Sequence, residues 1–171
     1  SLYSIENIRA ASDILLDPKG GGERIANMLR AELPAQRYWA ALACLYLGKE
    51  VTHKHKSALQ ALLKDPSRSV QIAAAEALAT FPTSKNGGNA AIEVLLANAD
   101  PTTSSAYHAV AALNALDHQP QKVLEPYKQR IARLPTNDPD VPGRPNGYAA
   151  RMHKHIASPI PDYFSWEKNN R

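Results

Sequence analysis

The apolar residues of segment 65–81 recur at the spacing of an α-helix. The segment opens with Asp65-Pro66 and runs into an alanine-rich stretch. Its apolar positions follow the series i, i+3, i+4, i+7, i+8 and i+11, which lies on one helical face. They are Val70, Ala73, Ala74, Ala77, Leu78 and Phe81. The spacing therefore predicts an amphipathic helix over 65–81.

The same pattern returns elsewhere in the chain. It follows Asp100-Pro101, 35 residues later, and it also occurs 34 residues earlier, around Trp39, without the Asp-Pro pair. A period of this length with two helices per unit is typical of an α-solenoid. Similar spacing predicts further helices at 3–17, 23–33, 35–48, 57–64, 89–99, 102–116 and 119–134, with an interruption at Pro126.

Polar and turn-forming residues predict the connections between these helices. We expect a polar connection at 51–56 and a loop at 82–88. Beyond the last helix, six of the chain's 13 prolines lie between residues 135 and 171. We therefore expect a repeat body at 3–134 and a Pro-rich, partly irregular tail at 135–171. Because solenoids need capped ends, the tail is expected to cap the last repeat; alternatively, it docks on a missing partner.

Two family resemblances follow from these motifs. The order Asp-Pro, Val70-Gln71 and Ala-Ala-x-Ala-Leu is similar to a HEAT repeat. It implies an all-α, HEAT-like α-solenoid of about three helix pairs. A narrower set, found in order, resembles the HEAT-like C-terminal region of bacterial sulfatases. The set comprises Tyr3-Ser-Ile-Glu-Asn-Ile, Arg37-Tyr-Trp-Ala-Ala, Ala73-Ala-Ala-Glu-Ala-Leu and Ala112-Leu-Asn-Ala-Leu-Asp.

Charge and hydropathy exclude several kinds of partner. Residues 1–120 carry 11 basic and 11 acidic side chains, so the net charge of +4 lies entirely in residues 121–171. A neutral repeat body argues against a nucleic-acid track, and so against a HEAT-like DNA glycosylase. We expect no membrane span, because no apolar run reaches the length of one. No signal peptide is visible.

The candidate chemical groups do not assemble into a catalytic set. Two His-x-His pairs are interpreted as chance surface histidines rather than metal ligands: His53-Lys54-His55 and His153-Lys154-His155. Residues i and i+2 of a helix point to different sides, and the neighbouring lysines would repel a metal cation. His108 is expected to be a hydrogen-bonded core histidine, and Cys44 a small buried thiol. The Cys- or Ser-x-Pro-x-Arg string of sulfatases is absent. We expect no catalytic residue, no metal ion and no cofactor.

An apolar stripe is the predicted interaction surface. Tyr38, Ile72 and Tyr107 occupy equivalent repeat positions, and Val110 extends the stripe, as do Ala41 and Ala75. Such a stripe on a concave face requires a cover. The alternatives are the tail, a parent catalytic domain, or a separate protein or peptide.

Arg37 is a separate, structural candidate. In HEAT repeats an arginine at this position often bonds an aspartate of a neighbouring turn, and Asp65 is the expected partner. Gln71 and Ala106 stand at the later equivalents, so we expect the ladder between repeats to be largely lost.

These interpretations lead to one function and one alternative. The sulfatase resemblance implies a non-catalytic accessory domain, excised from the C-terminal part of a bacterial hydrolase and periplasmic or extracellular. The alternative is a free-standing scaffold that binds a protein on its concave face.

Overall fold

Helices and turns make up the described part of the chain. The computed structural model describes residues 9, 12–13, 21–83, 85–135 and 156. The helices are α1 (Gly21–Met28), α2 (Pro34–Leu47), α3 (Lys49–Lys54), α4 (Lys56–Leu62), α5 (Arg68–Thr80), α6 (Lys85–Asn98), α7 (Ala106–Asp117), α8 (Gln121–Leu124) and α9 (Lys128–Ala132), with a 3-10 turn at Glu125–Tyr127. No strand occurs in these ranges. The predicted all-α, HEAT-like fold is confirmed.

The chain divides into two units, residues 1–98 and 99–171. In the first unit α1 packs on α2, α4 packs on α5, and α5 packs on both α2 and α6. The second helices of successive pairs, α2 and α5, are therefore neighbours, as stacked repeats require. Large side chains that fill this core are Ile25, Leu29, Leu59, Val70, Ile92 and Leu95. The separate prediction of domains at 3–134 and 135–171 stays a prediction.

Proline and glycine set the ends of α2. Pro34 occupies the first turn, where its missing N–H costs nothing. Gly48 ends the helix with φ 93° and ψ −167°, a conformation that residues with a Cβ rarely adopt. Its N–H still donates to the Cys44 carbonyl oxygen at 3.2 Å. The helix predicted at 35–48 is therefore observed as Pro34–Leu47.

The predicted polar connection at 51–56 is wrong, because α3 begins directly after Gly48. Thr52 is fully buried, and its hydroxyl donates to the Cys44 carbonyl oxygen at 2.8 Å. This bond ties α3 to the end of α2. The sequence lacks an apolar face here, so the helix depends on packing and on this buried hydroxyl.

The predicted loop at 82–88 is also too long. Helix α6 starts at Lys85, inside the run of turn-forming residues. Gly88 lies so close to Pro82 that an added Cβ would be 3.2 Å from the proline Cβ. The absence of a side chain thus permits the helix to begin early, against the preceding turn.

Aspartates organise the turns that precede α5 and α7. Asp65 Oδ1 accepts the Ser67 N–H at 2.8 Å. Ser67 is the N-cap residue of α5, but its own hydroxyl makes no capping hydrogen bond. In the second unit Asp100 Oδ1 accepts both the N–H and the hydroxyl of Thr102. That turn delays α7 to Ala106, rather than the predicted residue 102.

Pro126 divides the last predicted helix, as expected. The segment 119–134 forms α8, the 3-10 turn and α9 rather than one long helix. Leu124 and Ile131 are fully buried in the second unit, and so is Ile156 of the tail. Apart from residues 9, 12–13, 135 and 156, the predicted first helix at 3–17 and the tail at 135–171 lie outside the described residues.

Candidate functional site

Arg37 joins two inter-helix turns of the first unit. Its Nε donates to Asp65 Oδ2 at 2.6 Å and one terminal nitrogen donates to Oδ1 at 3.0 Å, so the pair is bidentate. The other terminal nitrogen donates to the carbonyl oxygens of Ala31 and Glu32, each at 2.7 Å. These carbonyls follow α1, which ends at Met28 rather than at the predicted residue 33. One guanidinium therefore holds together the turns after α1 and before α5.

The next repeat continues this ladder with amides. Gln71 Nε2 donates to the Asp65 carbonyl oxygen at 2.6 Å, and Gln71 Oε1 accepts from Asn98 Nδ2 at 3.1 Å. Asn98 Oδ1 in turn accepts from Arg68 at 3.1 Å.

Gln71 thus repeats the geometry of Arg37. Each side chain reaches a backbone carbonyl six residues before it, Ala31 for Arg37 and Asp65 for Gln71. Each also reaches a polar side chain in the following helix pair. The expectation that the ladder is lost at Gln71 is wrong, since a neutral amide makes the same two connections. The pattern ends at Ala106, a buried residue without a polar side chain.

The predicted stripe residues differ in how much surface they offer. Tyr38 is half-buried on α2, and its ring meets Trp39 edge-on, with centroids 5.6 Å apart and planes at 74°. Burial raises the pKa of Tyr38, and Glu76 and Tyr46 raise it further. Ile72 is only 6% exposed, and its neighbours in the stripe, Ala41 and Ala75, are fully buried. Ile72 therefore offers a separate partner little surface.

The other two stripe residues lie in the second unit. Tyr107, on α7, is 72% exposed, whereas Val110 is half-buried. His108 is half-buried as well, and a ring nitrogen lies 2.9 Å from the Ser105 hydroxyl. His108 is therefore hydrogen-bonded as expected, but it is not in the core. The binding role of Tyr38, Ile72, Tyr107 and Val110 stays a prediction.

Tyr46 is an exposed residue outside the predicted stripe. Its side chain is 75% exposed near the end of α2. Its position eight residues after Tyr38 places both tyrosines on one face of the helix, a signal that was present in the sequence.

The remaining candidates for chemistry are a buried histidine, a buried cysteine and any cluster of metal ligands. His55 is only 8% exposed, so its interpretation as a surface histidine is wrong, and its Nε2 has no hydrogen-bond partner. Burial, Lys54 and Arg30 lower the pKa of His55. Burial raises the pKa of the Cys44 thiol to about 12. Within the described ranges, no three potential metal ligands cluster; the pair at 153 and 155 lies outside them.

Comparison with known proteins places this architecture in a family. None of the curated proteins matches the chain, and neither does any solved structure. No homologue supports the resemblance to sulfatases. In the described part, no helix combines the length and apolar character needed to cross a membrane. The family model of HEAT repeats matches residues 23–124, more than half of the chain, and this chain therefore belongs to the HEAT-repeat family.

Proposed function

We propose that this chain is a non-catalytic protein-interaction module whose second helices carry the docking surfaces. HEAT repeats usually mediate protein interactions and are typically non-enzymatic. The observation that supports the proposal is the exposure of Tyr46 on α2 and Tyr107 on α7, the two large hydrophobic side chains exposed among the described residues. Tyrosine is enriched at protein interfaces because it combines apolar area with a polar hydroxyl.

A photo-cross-linking experiment tests this proposal. A photoreactive phenylalanine analogue replaces Tyr46 or Tyr107 in separate variants expressed in the source cells. We expect each variant to cross-link a defined protein, which mass spectrometry identifies. The purified protein should then bind the unmodified chain, and Tyr46→Ala or Tyr107→Ala should weaken binding about tenfold or more, as at an interface hot spot.

Gln60 provides the matched control, because it is exposed on α4, a first helix of the same unit as Tyr46. The analogue at Gln60 should capture no such protein, and Gln60→Ala should leave the affinity unchanged. The proposal is overturned if the captured proteins fail to bind in purified form, or if they bind both tyrosine variants as tightly as the native chain.

The narrower hypothesis makes the module an accessory domain of a sulfatase-like hydrolase. Its support is the ordered set of motifs, of which the stretches around Arg37, Ala73 and Ala112 lie in described helices. On this hypothesis the partner is the parent catalytic domain and the compartment is periplasmic or extracellular. The gene sequence upstream of Tyr3 tests it. An in-frame Cys- or Ser-x-Pro-x-Arg string would support it, and a start codon just before Tyr3 would exclude it.

A further inference from the structure

Two tyrosines lie along one face of α2, with a leucine between them. Tyr38, Leu42 and Tyr46 are spaced four residues apart, so they follow each other along the helix. Burial decreases along this line, from the half-buried Tyr38 and Leu42 to the exposed Tyr46. The edge-on packing against Trp39 restricts the orientation of the Tyr38 ring. The line therefore forms an apolar, mainly aromatic surface. Its Tyr38 end is held by packing against Trp39, and its Tyr46 end is exposed.

A carboxylate lies beside the centre of this line. Glu76 stands 34 residues after Leu42, one repeat later, on α5. Because α2 packs directly on α5, equivalent positions are neighbours at roughly 10 Å between helix axes. Glu76 is partly exposed, like Leu42. Its effect on the pKa of Tyr38, together with that of Tyr46, supports the same proximity.

Glu76 is the one acidic residue of α2 and α5. Apart from Glu76, the charged residues of α2 and α5 are Arg37 and Arg68. Arg37 is bound to Asp65, and Arg68 donates to Asn98. The surface thus combines two phenol rings and one carboxylate with an apolar base. The buried side chains of that base are Ala41, Ile72 and Ala75.

We infer that the surface formed by Tyr38, Tyr46 and Glu76 recognises a lysine or arginine side chain of a partner polypeptide. The inference rests on the proposed interaction function and specifies the chemistry of its partner. Phenol rings attract a cation through their faces, and a carboxylate adds a charge-assisted hydrogen bond. Leu42, between the rings, offers apolar contact to the methylene stem that both cationic side chains carry. Glu76 can accept the new bond in addition to those within the chain, because an ionised carboxylate offers about four lone-pair sites.

Selection from a random peptide display library on the purified full chain tests the inference. We expect the enriched peptides to contain lysine or arginine next to apolar residues. The synthetic form of an enriched peptide should bind Glu76→Gln and Tyr46→Ala about tenfold more weakly than the native chain. Tyr46→Phe should bind within about twofold of native, since phenylalanine retains a ring face. Higher salt should weaken native binding.

Glu50→Gln is the matched control, because Glu50 is an exposed glutamate of the same unit on α3. It removes the same charge and should leave the peptide affinity unchanged. The inference is overturned if the selected peptides require Tyr46 but show no preference for lysine or arginine, or if they bind Glu76→Gln as tightly as the native chain. Either result leaves the proposed interaction function intact. If no enriched peptide depends on Tyr46, the inference is again overturned. The interaction function is then judged by cross-linking at Tyr46 and Tyr107.

Discussion

Cys44 shows how burial alone decides the behaviour of a single residue. Its side chain is fully buried in α2, and burial raises the pKa of its thiol to about 12. The thiolate is the nucleophilic form, so the native chain holds almost none of it at neutral pH. The expectation of a small buried thiol therefore agrees with the structure.

We expect native Cys44 to react with an aromatic disulfide reagent far more slowly than the same chain in denaturant. Reaction in the native state requires local opening of α2, which exposes the sulfur. Absorbance of the released thiol follows both rates. A native rate equal to that of the denatured chain would contradict the buried position.

His55 makes the stability of the fold depend on pH. Its folded pKa lies below the ordinary value of about 6.5, first because of burial and then because of Lys54 and Arg30. Below about pH 6.5 the unfolded chain therefore binds a proton that the folded chain does not. Stability is lost as the pH falls from there, until the folded pKa is passed.

The prediction is tested by denaturant titration of the native chain and of His55→Gln between about pH 8 and pH 5. The free energy of unfolding of the native chain should fall more on acidification than that of the variant. Using the variant as reference removes the contribution of the other titrating groups. A difference between the two proteins that stays constant with pH would show that His55 does not contribute.

At the scale of the elements, polar side chains connect the turns between helices. Arg37 makes four hydrogen bonds to two turns, and Gln71 makes two at the equivalent position. The bonds of Arg37 are charge-assisted, and its partner Asp65 is only 6% exposed. Loss of Arg37 should therefore cost more than loss of Gln71.

We expect Arg37→Ala to lower the free energy of unfolding by about 3 kcal/mol, because it leaves a buried carboxylate without its cation. Gln71→Ala should cost about 1 kcal/mol, the loss of neutral hydrogen bonds. Gln60→Ala, on the exposed side of α4, is the control and should change stability by less than about 0.5 kcal/mol. Urea titration measures all three. An equal cost for Arg37→Ala and Gln71→Ala would contradict the difference between the two positions.

The junction of α2 and α3 depends on the backbone of Gly48. Its φ of 93° and ψ of −167° fall in a region essentially restricted to glycine, although space for a Cβ is open. Gly48→Ala should therefore destabilise the fold by about 1–3 kcal/mol through backbone strain alone. Thermal unfolding checks this, with the adjacent exposed Lys49→Ala as control. An unchanged melting temperature for Gly48→Ala would refute the strain argument.

At the scale of the whole molecule, the charge distribution separates a protein scaffold from a nucleic-acid binder. Residues 1–120 are neutral, and the excess positive charge lies in residues 121–171. We therefore expect any binding to duplex DNA at low salt to disappear at physiological ionic strength. Fluorescence anisotropy of a labelled duplex measures it. Saturable binding that persists at physiological salt would favour the nucleic-acid alternative.

The sequence by itself determined the repeat period, the helical class and most inward-facing residues. The spacing around Val70 and Ala74 is a local property that survives in any packing. The pairing of Arg37 with Asp65 was also accessible, because both residues occupy fixed repeat positions.

Only the tertiary structure decided the features that depend on distant neighbours. Thr52 lies in a helix although its segment has no apolar periodicity, because its hydroxyl bonds Cys44 across the junction. Gln71 continues the ladder because Asn98 comes within 3.1 Å of it. The burial of His55 and the exposure of Tyr46 depend on which surfaces other helices cover. A local pattern specifies which residues share a helical face, whereas the contacts between repeats decide whether that face packs against other helices or is exposed to solvent.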